Sequence, residues 1–228
     1  MPVIIDGTNG VSTPNTFAFK NRIIDGGFTI NQRGYTSGTS LSSGSYGHDR
    51  WKGGASGGTY TFTQGSTGVN TTITITAGSI IQVIEGANLP EGGTYVLSWT
   101  GTAQGKIGSG SFGASGITGT ITAGTNTNIE FNTGTCGNVQ LEVGSTATSF
   151  DYRPYGTELQ LCQRYYEQAN MAVYSTVSRN MYSYHVPKRT NPSSVTLTTG
   201  TIVNSYEDFA SYSHGSDAST TMKINAEL

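Results

Sequence analysis

The runs Thr59-Tyr-Thr-Phe-Thr63 and Thr71-Thr-Ile-Thr-Ile-Thr76 alternate apolar side chains with hydroxyls at nearly every second position. A period of two places one set of side chains on each face of an extended chain, so each run is expected to bury one face and wet the other. Ile80-Ile-Gln-Val-Ile84, Thr94-Tyr-Val-Leu-Ser-Trp99, Asn128-Ile-Glu-Phe131 and Val139-Gln-Leu-Glu-Val143 add four more strands. Gly- and Asn-rich turns separate them at the intervals of a sandwich or jelly roll, and six or more antiparallel strands need two packed sheets. In this alternation Glu142 points outward and Trp51 and Trp99 point into the core.

Composition supports the same reading. Charged residues make up 11% of the 228-residue chain, against about 25% in an ordinary soluble domain, and 32 glycines accompany abundant Thr and Ser. A formal charge of −2 gives no field able to gather phosphate backbones, so no nucleic-acid partner is expected. No run approaches the ~20 apolar residues of a spanning helix, and Met1 to Asp6 has neither the charged start nor the apolar core of a signal peptide. Assembly in the cytoplasm without membrane insertion is the expectation. Cys136 and Cys162, as the two cysteines, allow at most one bridge and are read as free thiols.

Three segments depart from the strand rhythm. Residues 1–16 hold one short apolar run, Val3-Ile4-Ile5, before the turn pairs Asp6-Gly7 and Asn9-Gly10. They read either as an isolated strand that anchors in another protein or subunit, or as an ordinary first strand of the body. Gly101 to Gly124 has glycine at close intervals and reads as a weak hairpin or mobile loop. At Arg153-Pro154-Tyr155-Gly156 the proline drives Arg153 out of helical geometry. From there Thr157 is expected to cap a short helix or turn reaching Asn170, with Leu159, Cys162, Tyr165 and Tyr166 on its apolar face.

Beyond the helix, strands are expected over Met171 to Ser178, Asn180 to Val186, Ser194 to Thr199, Thr201 to Tyr206 and Thr220 to Ala226, with Lys188-Arg189 a basic turn between Pro187 and Pro192. Seven tyrosines lie from Tyr165 to Tyr212, which marks this half as built for contact. The expected fold class is therefore mainly β: an antiparallel β-sandwich or jelly roll over residues 17–155, and a small β-rich C-terminal domain over residues 156–228, with one short helix between them.

Catalytic chemistry is poorly supplied. The histidines are His48, His185 and His214; they sit in no nucleophile elbow and at no metal-ligand spacing. Glu207 and Asp208, near His214 and Asp217, are the one arrangement resembling a catalytic nest, and solvated turn carboxylates explain them better. Asp6 and Asp25 are turn aspartates of the kind that sometimes hold calcium, yet no metal and no cofactor is expected. What remains is aromatic chemistry: sugar rings lay apolar C–H faces on Tyr or Trp while their hydroxyls seek Asp, Asn or Ser. Tyr182, Tyr184, His185, Tyr206, Tyr212, His214 and Asp217 supply that mixture, as a receptor surface or equally as an oligomer interface.

Phe17-Ala-Phe-Lys-Asn-Arg-Ile-Ile-Asp-Gly-Gly-Phe28, Ile30-Asn-Gln-Arg-Gly34, His48-Asp-Arg-Trp51, Val139-Gln-Leu-Glu-Val-Gly-Ser-Thr-Ala-Thr-Ser-Phe150 and the run from Phe150 to Gln168 together resemble a family of bacteriophage tail-fibre and tail-appendage proteins. The resemblance covers about Phe17 to Gln168. It implies a carbohydrate-binding-module-like sandwich, a non-enzymatic virion role in host attachment through surface glycans, contacts with other virion proteins, and a homo-oligomer with trimeric symmetry. A capsid decoration or head-fibre protein and a small polysaccharide depolymerase are the alternatives.

Overall fold

The computed structural model describes residues 4–6, 10–12, 19–173, 180–213 and 218–228. The fold is mainly β with one α-helix among the described residues, and its ladders are antiparallel. In the N-terminal segment, β1 (Ile4–Asp6) pairs with β2 (Gly10–Ser12), Ile5 opposite Val11. The expected isolated strand is thus corrected to half of a two-stranded antiparallel pair.

The body comprises β3 (Ser40–Leu41), β4 (Lys52–Thr61), β5 (Ile73–Ile84), β6 (Gly93–Thr100), β7 (Gly105–Ile107), β8 (Ile117–Ile121), β9 (Thr127–Phe131) and β10 (Gly134–Val143). Two strands organise it. β5 pairs β10 through Ile73 and Ile75, then β9 from Ile80 to Ile84, with β4 along its other edge. β10 begins against β5, passes to β6 at Gly137 and slips register on that partner before Gln140; β6 carries β8 on its other edge. That slip curls the sheet into a sandwich-like fold around Trp51, Tyr60, Tyr95 and Phe131, each fully buried, and Trp99, which meets Phe131 edge to face at 5.0 Å.

Three expectations change here. The runs at 71–76 and 80–84 are one strand: Gly78 adopts φ +65° where the β4 ladder skips residues, so the chain bulges instead of turning. Residues 101–124 hold two strands in separate ladders, β7 on β9 and β8 on β6, joined by a loop over 108–116 that an antiparallel Gly105–Gly113 bridge closes. Glu142 is buried, not outward. Residues 145–149 cover that face of β10, and Glu142 accepts bonds from the Thr148 amide (2.8 Å) and hydroxyl (2.7 Å).

Helix α1 (Tyr155–Gln163) starts two residues before the expected cap, with Pro154 at its N-cap and no side-chain capping bond. Thr157 instead donates its amide to the Pro154 carbonyl at 2.9 Å. The helix stops well short of Asn170 because Tyr166 already pairs with Asn225 in a sheet. Leu159, Cys162 and Tyr165 do form an apolar face, packed on Ile24, Ile30 and Leu228. Both cysteines are buried free thiols.

The C-terminal half is a second, smaller pair of sheets. One has β16 (Ala218–Asn225) between β11 (Tyr166–Val173) and β13 (Ser194–Leu197); the other has β15 (Phe209–Ser213) between β12 (Asn180–Ser183) and β14 (Thr201–Ser205). They close over Tyr184, Ala210, Tyr212, Met222 and Ile224. β15 has no counterpart among the expected strands, since Phe209-Ala-Ser-Tyr-Ser213 is short and half hydroxyl. The chain then returns to the body. Glu227 pairs with Arg50 and with Arg33, and the Leu228 oxygen accepts from Tyr46 (2.8 Å) and Lys52 (2.7 Å). Among the described residues no helix is long and apolar enough to cross a membrane.

Candidate functional site

Period-two alternation in β12 turns Tyr182 inward and Met181 and Ser183 outward. Immediately after it, the segment from Tyr184 to Lys188 lies along the turn that precedes β15. The Tyr184 amide donates to the Asp208 carbonyl at 2.9 Å and the Lys188 amide to the Glu207 carbonyl at 2.6 Å. This brings three side chains and one backbone amide onto one acceptor contributed by β11, Glu167, whose side chain is fully buried. Lys188 Nζ reaches its Oε2 at 2.5 Å, while the Tyr182 hydroxyl (2.7 Å), the His185 amide (3.2 Å) and His185 Nδ1 converge on its Oε1. The Lys188 ammonium also lies 4.9 Å from the centre of the Tyr184 ring.

The electrostatics follow from this crowding. Burial pushes the Glu167 carboxyl upward, but the donated bonds from Lys188, Tyr182 and His185 outweigh it and leave the group below its ordinary range. Burial lowers Lys188 despite its partner, and raises Tyr182 and Tyr184, with Glu167 adding to both. A carboxylate with donors on both oxygens is an anchor, poorly suited to take a proton from a substrate. Its role is to hold His185, whose side chain is 61% exposed, in a fixed position at the surface.

The remaining expected residues divide by environment. Tyr206 is exposed and stacks on Phe209 at 4.8 Å, at the same end as His185. Tyr184 and Tyr212 are core residues, which corrects their expected place on a contact surface: the facing sheet supplies Met222 and Ile224, and both rings pack there. Glu207 and Asp208 offer the cluster their backbone carbonyls, with their own side chains in solvent. His214 and Asp217 lie outside the described residues. The structure thus joins Tyr182, Tyr184 and His185 in one cluster and places Tyr206 beside it.

Glu167 and Lys188 were missing from the expected site. Glu167 stands next to two tyrosines in a run expected to be helical, and Lys188 looked like an ordinary basic turn between prolines. Only their mutual contact, 21 residues apart in sequence, reveals the pair.

Among the described residues no group of three or more His, Cys, Asp or Glu is placed to share a metal ion. Asp25 is fully buried, and burial drives its carboxyl well above the usual range. Its Oδ1 is taken by the Thr29 and Ile30 amides (2.6 and 3.1 Å). His48 is likewise a core residue, between the Tyr60 hydroxyl (3.0 Å) and Gln64 (3.1 Å). Comparison with known proteins gave no matching family model, no matching curated protein and no matching solved structure.

Proposed function

We propose that this chain is a non-enzymatic virion protein, a tail-fibre or tail-appendage subunit that attaches a bacteriophage to its host surface through glycans. The observation that carries the reading is the end of the C-terminal sandwich: His185 and Tyr206 project there beside a buried, donor-saturated Glu167. Such an arrangement presents polar and aromatic groups in fixed positions at the surface, which suits recognition.

The sequence runs that resemble phage fibres support the same reading from another side. They meet in one scaffold: Trp51 donates to the Asp25 carbonyl at 3.0 Å, Arg153 donates to the Ile23 carbonyl at 3.1 Å, and Arg50 lies 3.6 Å from the Tyr165 ring centre. Their task is to build the body and fasten the C-terminal sandwich to it. Individual sugar contacts are weak, and a homotrimer gains avidity when several copies engage one surface. Among the described residues the β1–β2 hairpin pairs with no third strand. Two strands alone are marginal in water, so its role is to join another virion protein.

Adsorption competition tests this. Excess purified protein should slow attachment of the phage that carries it, and His185→Ala and Tyr206→Ala should weaken that effect. A protein that neither competes nor binds host cells or their surface glycans has no receptor role.

A further inference from the structure

The linker between body and helix α1 carries a second aromatic and polar surface. Tyr152 is 70% exposed and meets the Phe150 ring edge to face at 4.9 Å, while Tyr155 is exposed at the first residue of α1. Beside Phe150 and Tyr155 opens a notch of about 20 Å³, bounded also by Asn70, Asp151 and Arg153. That volume admits one water or one hydroxyl group. Gly27 keeps the notch open, since a Cβ there would lie 2.5 Å from Asn70 Oδ1.

The polar groups around the notch are fixed and incompletely used. Arg153 is held by the Asn21 and Ile23 carbonyls and by both Glu158 oxygens, yet its buried Nε has no hydrogen-bond partner. Asp151 Oδ2 stands 3.9 Å from that Nε and receives one long bond, from the Asn21 amide at 3.4 Å. Asn70 commits its Nδ2 to Asn138 Oδ1 at 2.6 Å, which leaves its own Oδ1 as an acceptor.

We propose that this surface is a saccharide subsite: a neutral pyranose rests on the exposed Tyr155 and inserts one hydroxyl into the notch, donating to Asp151 or Asn70. Aromatic rings beside spare acceptors match the two faces of a sugar, apolar C–H and hydroxyl. The ligand class rests on the attachment reading above, but the site is a different one, lined by residues of the body, the linker and α1 and by none of the C-terminal sandwich.

The test uses a printed panel of bacterial surface polysaccharides, followed by calorimetry on the glycans bound. Tyr155→Ala and Asp151→Asn should each weaken binding at least tenfold, while Lys223→Ala, at an exposed position of β16, leaves it unchanged. Asp151→Asn is isosteric and only partly buried, so it remains informative if Tyr155→Ala disturbs α1; circular dichroism checks both. Unchanged binding in Asp151→Asn and Tyr155→Ala overturns the subsite, and if Tyr206→Ala alone abolishes binding, attachment survives without it. A wild-type protein that competes for adsorption but binds no glycan also overturns the subsite alone. One that does neither removes both readings. Dissociation of an oligomer by Tyr152→Ala assigns the rings to a subunit interface and overturns the proposal.

Discussion

The Lys188 ammonium lies 2.5 Å from Glu167 Oε2, with both side chains shut off from solvent. Taking two charges out of water is costly, and their attraction repays it only while both are present. Lys188→Met should therefore destabilise the C-terminal sandwich by about 3–5 kcal/mol, by leaving Glu167 buried with a charge and too few donors. The double variant Lys188→Met/Glu167→Leu should recover much of that loss. Urea denaturation followed by tyrosine fluorescence measures both, and a Lys188→Met protein as stable as wild type contradicts the pairing.

Glu227 ties the end of the described chain to the body through Arg50 and Arg33, and both arginines also lie over tyrosine rings of the C-terminal half. Arg50 is almost completely buried. Glu227→Gln keeps the shape but strands that guanidinium charge, and the expected loss is about 3 kcal/mol. Hydrogen exchange should show the effect first at Tyr166 and its partner Asn225, where the sandwich meets the body. Equal protection in wild type and variant would place the fastening elsewhere.

Strand alternation and turn chemistry were legible in the sequence because each depends on near neighbours: Ile73 and Ile75 bury themselves while Thr74 and Thr76 face solvent, as a period of two requires. What misled was long-range. Glu142 follows the alternation of an exposed strand, and only the covering segment at 145–149 makes its face an interior. Tyr166 fits a helical stripe, yet pairing with Asn225 and stacking under Arg33 pull it into a strand. In the candidate site, tyrosine density pointed to the half of the chain that holds the Glu167 cluster but not to which rings were core. Tyr212 and Tyr206 are six residues apart, but Tyr212 lies within β15 beneath the facing sheet while Tyr206 stands exposed in the turn between β14 and β15.

The pH response should reveal His48. Burial lowers it from an ordinary 6.5 to about 4, so between those values the unfolded chain binds a proton that the folded chain refuses. Stability from this residue is complete above pH 6.5 and is lost as pH falls toward 4. Asp49 acts in the opposite sense: burial raises it from 3.8 to about 7, so its folded form gains a proton over much of the same range and stability rises on acidification. The two offset each other in the wild type. His48→Gln should remove one side of that balance, and its stability relative to wild type should rise by about 3 kcal/mol between pH 7 and pH 4. Denaturation series across that range measure it, and a pH-independent difference would show that His48 is not held neutral.

Gly78 lets β5 run as one strand instead of two. Its φ of +65° is a conformation that other residues adopt only under strain, and a Cβ there would lie 2.2 Å from the Gly57 carbonyl oxygen. Gly78→Val meets both obstacles, since β-branching worsens the first and the backbone contact cannot move without opening the β4–β5 ladder. A loss of about 2 kcal/mol or more is expected. Ala77→Val, one position away on an exposed site, should change stability by no more than about 0.5 kcal/mol. Thermal melts of the two variants separate a backbone requirement from a general intolerance of larger side chains: equal losses in both would mean that the bulge does not depend on glycine.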